Sequence, residues 1–370
     1  MINVPEPKKH NNVATNQHLI PRTYLKKWKH NKGKKDRIWL YDKENQLPLG
    51  VAEGKWLLKS CETCEIMYKN GFYDIKAGSL YMPEEAMKEI YADILQFDIE
   101  LDDKKLDSLE LLNQYYYRID EWVIKDEIGE KITQDELDQV KKYFKKSRWT
   151  YLETEWAHKF ENGWSKFIEL LEKNIRQSYK NNRNINIIKD DLVLLVKYCM
   201  IYNWRSIAGN EMFNRIYSDM PIRDILEMIE IPEGERTYEE DITAYDQMKH
   251  ASLLNGFVDY LMYDKGKIKA NEEAFLKHLA PVFLISEPND PFITSDVPVF
   301  TRVREDGLKE MVFIATPTLA IVFGRGILDE FIVKRLSTRE VLKYNRAVAE
   351  YGNQLVFKNK DYDVSNLFVV

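Results

Sequence analysis

The chain has 370 residues, 44% of them apolar and 31% charged, with a formal net charge of -6. That length buries a core without covalent staples, and that composition excludes a disordered or fibrous chain. The three cysteines, Cys61, Cys64 and Cys199, give no disulfide framework and point to a reducing compartment. No apolar run approaches the roughly 18–20 residues of a membrane span, and the start has no signal-peptide core, so a cytoplasmic protein is expected.

Residues 1–16, rich in Asn and Pro, read as a flexible leader, and residues 17–370 as a single α+β domain. The segment 19–28 predicts a short helix opened by Pro21. In the segment 37–42, Ile38 and Leu40 alternate with Trp39 and Tyr41 as in a strand. Asn70-Gly71 signals a turn, with a second short strand expected at 72–75. From about 83 to 217 the pattern is helical. Pro83 precedes two acids, Thr133 and Glu136 match a capping box, and Leu137, Val140, Phe144, Trp156, Phe160, Trp164 and Leu171 recur at helical spacing. That spacing fits one long helix or two stacked ones, bent at Gly163. The heavily charged interval of about 98–131 reads as a helical insertion. Asp190 and Asp191 open a helix through Leu195, Cys199 and Tyr202, and further helices are expected at about 239–262 and 271–279.

The pattern then changes to short apolar runs at 282–285, 292–294, 311–314 and 319–323, with Asp306-Gly307 as a hairpin turn. A last helix is expected at about 337–351, capped by Ser337, and a closing strand at 355–357. The expected fold is α+β and predominantly helical. A helical middle separates N- and C-terminal strands that join in one small, mostly antiparallel sheet.

Several residues carry chemistry. Gln17, His18, Arg22 and Tyr24 crowd around Pro21; histidine serves as base or metal ligand, and arginine grips phosphate. Lys26 and Lys27 belong to a basic run from Lys8 to Arg37 opposed only by Asp36, a footprint for nucleic acid through 22–37 or simply a solvated face. Cys61 and Cys64 form half of a zinc or redox site with no second half. Glu155 shares a helical face with His158. Arg205 lies in an apolar helix and demands an acid or a phosphate beside it. Ser295 and Asp296 end an apolar run, as an acid held by local hydroxyls or as a plain turn.

The order Gln17, His18, Pro21, Tyr24, Leu25 resembles the opening motif of the bacterial domain-of-unknown-function family 4238. Phe72 and Tyr73, Glu155, Arg205, the segment Phe292, Thr294, Ser295, Asp296, Pro298, and Asn345 are similar to its later motifs. The resemblance runs from about 16 to 358. Val297 stands where the family usually has asparagine, and the interval 98–131 looks additional. The resemblance implies which residues matter and supplies no reaction.

Two functions are expected from different classes. One is a metal-dependent phosphodiesterase or nuclease effector, in the setting of bacterial defence. In it His18 is base or ligand, Glu155 and Asp296 hold Mg or Mn, Arg205 stabilises phosphate charge, and Gln17, Arg22, Tyr24, Lys26, Lys27, Tyr73 and Ser295 bind substrate. The other is a non-enzymatic binding or adaptor protein in which the same residues form a buried polar network. The pivotal expectation is that His18, Glu155, Arg205 and Asp296 line one cleft.

Overall fold

The structure, a computed structural model, describes residues 6, 16–30, 33, 35–44, 58–126, 128–181, 187–206, 209, 220–304, 306–325 and 331–368. The leader expected at 1–16 therefore lies outside the described residues apart from Glu6 and Asn16, as do Lys8, Lys9, Lys32 and Lys34 of the basic run. Among the described residues helix accounts for 47% and strand for 22%, so the fold is α+β with helix leading rather than dominating. Contacts divide the chain into two compact units: Met1–Gln17, Asn70–Glu155 and Phe213–Asp264 form one, and His18–Lys69, Trp156–Met212 and Lys265–Val370 the other. Among the described residues no helix is long and apolar enough to cross a membrane.

The first unit is helix-rich. Its helices Gln134–Lys146 and Ala244–Tyr263 both open with a full capping box, Thr133 with Glu136 and Thr243 with Asp246. Each box satisfies two amides that a helix start would otherwise leave bare. The interval 98–131, expected to be helical, instead holds three antiparallel strands, Lys104–Lys105, Asp98–Leu101 and Val123–Lys125, beside the helix Leu109–Gln114. Asp102 and Asp103 have φ of 49° and 61°, the double left-handed conformation of a tight primed turn. Ile99 and Leu101 face inward with Ile124 while acids and lysines face out. The alternation was present in the sequence, hidden by its charge. Phe72 and Tyr73 likewise lie in a turn at Gly71 (φ 63°), and the strand begins only at Ile75.

The second unit carries two sheets. A five-stranded sheet runs Val299–Val303, Lys309–Thr316, Leu319–Arg325, Leu279–Ile285, Ile332–Arg335, antiparallel except for the last pair. Gly307, at φ 81°, closes its first hairpin as Asp306-Gly307 predicts. A four-stranded antiparallel sheet runs Thr294–Ser295, Gln354–Phe357, Arg37–Asp42, Lys59–Glu62. Trp39 opposes Phe357 there, so strands from the two ends of the chain do share a sheet. The helix Thr338–Tyr351 is boxed by Ser337 and Glu340.

The helix Lys189–Arg205 is buried nearly all round, which is why its apolar pattern shows no single face. Tyr24, Trp164 and Phe313 pack on its Tyr202, with ring centroids 5.0 to 5.5 Å from the Tyr202 ring. The helix Asn162–Lys180 is preceded by a π-helical turn, Ala157–Glu161. The bend expected at Gly163 is therefore this turn. Gly163 matters differently: a Cβ there would stand 3.0 Å from the Tyr198 hydroxyl, which donates to the Phe160 carbonyl at 3.0 Å. The break expected within 134–171 falls at Ser147, the C-cap of Gln134–Lys146, followed by the strand Arg148–Trp149.

Candidate functional site

The second unit brings His18 and Arg205 together. Leu19 N donates to the Met67 carbonyl, and the amides of Tyr24 and Leu25 bond back to Pro21, so His18 is held in a short extended stretch before the first helical turn. Arg205, at the end of its buried helix, donates from Nη2 to the His18 carbonyl and from Nη1 to Glu161 Oε1 at 2.9 Å. Its guanidinium also stacks over Trp156, 5.1 Å from the ring centre. A buried guanidinium is tolerable only with such partners.

The His18 imidazole is 9% exposed, and its Nδ1 is buried with no hydrogen-bond partner. Burial above all, then Arg22 and Arg205, pull its pKa down to about 4, against the opposing pull of Glu161 and a backbone bond at Ile66. The ring is therefore neutral at physiological pH. Tyr68, 37% exposed, stands edge-on to it at 5.9 Å and marks the solvent side. Arg22 is exposed and has no ion-pair partner among the described residues.

The other expected site residues are placed elsewhere. Asp296 Oδ1 accepts from the amides of Asn353 (2.9 Å) and Gln354 (3.3 Å), and its own amide donates to the Gln354 carbonyl. Burial raises its carboxyl to about 6, while those amides and Lys43 oppose the rise. Lys43 in turn donates to the Ala349 carbonyl. The local hydroxyls do not hold the acid as expected: Ser295 Oγ closes a turn on Val297 N and O, and Thr294 Oγ1 meets the Tyr24 hydroxyl at 2.6 Å. Ser295 is wholly buried against Gly352, where a Cβ would fall 2.3 Å from its Oγ.

Glu155 is half-buried and is the last residue of its segment of the first unit. The π-helical turn carrying His158 also ends the α-helical spacing from which a shared face was expected. Among the described residues no group of three or more His, Cys, Asp or Glu side chains could hold a metal ion. Both amides that hold Asp296 bond its Oδ1.

The remaining substrate-binding expectations also give way to packing. Gln17 spans Asp74 and the amide of Tyr73, and Tyr73 is fully buried against Phe257. Tyr24 is fully buried, its hydroxyl donating to the Ile314 carbonyl. Lys26 pairs with Asp36 at 3.1 Å and Lys27 with Glu169 at 2.6 Å. Cys61 is buried, its thiol pushed up to about 11, and Cys199 lies in the core.

Glu161, Trp156, Tyr68 and Lys43 were not found by sequence reasoning. Arg205 in an apolar helix did announce a missing acid. Several carboxylates stood within reach in the chain, and the π-helical turn that selects Glu161 has no marker in the sequence.

No curated protein and no solved structure matches the chain. A family model described as "Protein of unknown function (DUF4238)" matches residues 16–362, and the span covers both the His18 and the Asp296 segments. The chain belongs to that family.

Proposed function

We propose that the protein acts on phosphodiesters of nucleic acid, as a nuclease-like hydrolase, at the His18 cluster. The observation that carries this reading is a buried, unpartnered Nδ1 on a histidine kept neutral beside two arginines. At neutral pH the ring is unprotonated and has a lone pair free for general-base work, as a weak base at a pKa of about 4. Arg22, exposed and without an acid partner among the described residues, is suited to grip a phosphate. Arg205 acts through His18, fixing its backbone, and is a positioning residue. RNA suits this set best. His18 removes the proton of a ribose 2′-hydroxyl, that oxygen bonds to phosphorus as the bond to the 5′-oxygen breaks, and the 5′-oxygen leaves with a proton from water. No carboxylate of the chain is assigned to a metal in this step.

Purified protein incubated with RNA and with DNA, in Mg, in Mn and in a chelator, tests the reading. RNA cleavage to a cyclic phosphate is expected, falling by roughly 10²–10⁴-fold in His18→Ala. Cleavage undiminished in that variant refutes it.

A second reading, a binding or adaptor protein whose polar residues fix the fold, is favoured by Arg205. That side chain is fully buried and ties two segments far apart in sequence. If no substrate is cleaved and His18→Ala loses several kcal/mol of stability, this second reading holds.

A further inference from the structure

We propose that the face around Trp39 and His30, in the same unit as His18, is a stacking platform for single-stranded nucleic acid. The proposal rests on the phosphodiester reading and deepens it by naming the form of substrate. Along the strand Arg37–Asp42, Ile38 and Leu40 point into the core, which turns Arg37 and Trp39 to the other face. The exposed His30 ring lies on Trp39, with centroids 4.4 Å apart and planes 18° from parallel. Its Nε2 meets Ser60 Oγ at 3.1 Å, and its amide donates to the Arg37 carbonyl, so the stacked pair is built rather than accidental. Lys360 places its ammonium 6.0 Å from the centre of the Trp39 ring.

The charges of this face leave a positive surplus. Asp36 is met by both Lys26 and Lys29, and Glu62 by both Lys35 and Arg37. Lys358 donates to the Lys29 carbonyl and has no carboxylate partner among the described residues, nor does Lys360. Lys358 is close enough to help hold His30 below its ordinary pKa, after burial and Arg37. Flat rings flanked by cations are what an unpaired strand needs: bases stack on the rings while ammonium groups meet the phosphates. A duplex hides its base faces and gains only the phosphate contacts. Lys358 and Lys360 also line a cavity of about 560 Å³ that presents Asn289 and Asn359 and three carboxylates, Asp290, Asp361 and Asp363. Its volume falls in the roughly 300–1,000 Å³ range of small-ligand sites, and its amide and carboxylate groups suit the edges of a base next to the stacked one.

The test is binding of a fluorescein-labelled 2′-O-methyl oligouridylate, which has no free 2′-hydroxyl for the His18 step, and of the same strand annealed to 2′-O-methyl oligoadenylate, by fluorescence anisotropy at two salt concentrations in a chelator. The single strand is expected to bind at least tenfold more tightly than the duplex. Trp39→Ala is expected to weaken it by roughly tenfold, the stacking of one base. Because Trp39→Ala can disturb the sheet, His30→Ala and Lys360→Ala, both at exposed positions, are measured beside it. The first should weaken binding several-fold, and the second should lower the salt slope by about 0.7. Equal affinity for duplex and single strand, no binding, or full affinity in both exposed-site variants overturns the platform. RNA that binds as described but is never cleaved leaves the platform standing and removes the His18 reading. His18-dependent cleavage with binding indifferent to His30 and Lys360 does the reverse.

Discussion

Replacing Asp296 with asparagine should stabilise the protein at neutral pH. The side chain is 4% exposed, and its Oδ1 accepts two backbone amides, from Asn353 and Gln354. An asparagine Oδ1 accepts the same two bonds, so Asp296→Asn removes the charge and keeps the geometry. The folded carboxyl keeps its proton until about pH 6, against an ordinary value of 3.8. Between those values the native state binds more protons than the unfolded one, so stability falls as pH rises through that window. Above it the full cost applies, about 3 kcal/mol at about 1.36 kcal/mol per pH unit. Urea denaturation of both proteins at pH 7 and pH 4 measures it. The variant should gain as much as about 3 kcal/mol at pH 7 and close to nothing at pH 4, where the native acid is protonated. A variant less stable at pH 7, or a gap that does not shrink on acidification, would show that the carboxylate is held as a favourable anion and that burial is not the dominant influence.

The opposite sign is expected at His18. Its folded pKa of about 4 lies below the ordinary 6.5, so the unfolded state takes up the proton first. The stability tied to the neutral ring is complete above pH 6.5 and is lost as pH falls toward 4, about 3 kcal/mol in all; His18→Gln should lose that slope relative to the parent in the same denaturation series. Arg205→Met should cost about 3–5 kcal/mol, because it strands Glu161 and the His18 carbonyl. A double variant with Glu161→Gln should then cost less than the sum of the two changes, and strict additivity in the melts would contradict the pairing. Gly352→Ala should destabilise by about 1–3 kcal/mol by thermal melting, since its Cβ would fall 2.3 Å from Ser295 Cβ.

Local signals in the chain predicted local structure well. The capping boxes at Thr133 and Ser337 and the turn at Asp306-Gly307 form where expected, because each depends on residues three or fewer apart. The shared sheet of the two chain ends follows from alternation at 37–42 and 355–357. Errors came where two patterns overlap. In the segment 98–105 the charges read as a solvated helix, and the inward Ile99 and Leu101 were outweighed. At 157–161 an extra backbone residue per turn rotates every later side chain, and composition does not encode it. The site was legible in its residue types and less so in its grouping. His18 and Arg205 meet, whereas Asp296 turns to a backbone corner that only the close approach of Gly352 makes possible.

Most of the residues singled out by family resemblance have a sufficient reason in packing. Gln17 bonds the Tyr73 amide and Asp74, Tyr24 bonds Thr294 and the Ile314 carbonyl, and Asn345 bonds Ile293 N, the Pro291 carbonyl and the Tyr362 hydroxyl. Asp296 holds the start of the strand Gln354–Phe357, and Arg205 holds the backbone of His18. In each case the side chain satisfies buried backbone groups of a distant segment, which a fold must do somewhere. The His18 imidazole is different. No group among the described residues bonds its Nδ1, although the atom is buried. A merely structural ring at that position would be served better by an apolar side chain of the same size, since a buried acceptor without a donor costs about 1–3 kcal/mol. Thr63 Oγ1, Trp164 Nε1 and the Tyr202 hydroxyl are also buried without a partner among the described residues, so the cost alone does not mark a site, and His18→Leu puts the role of the imidazole to the test. A variant that melts higher yet cleaves no RNA places the cost of the imidazole in function. A variant that melts lower, with its activity intact, returns His18 to the scaffold with the rest.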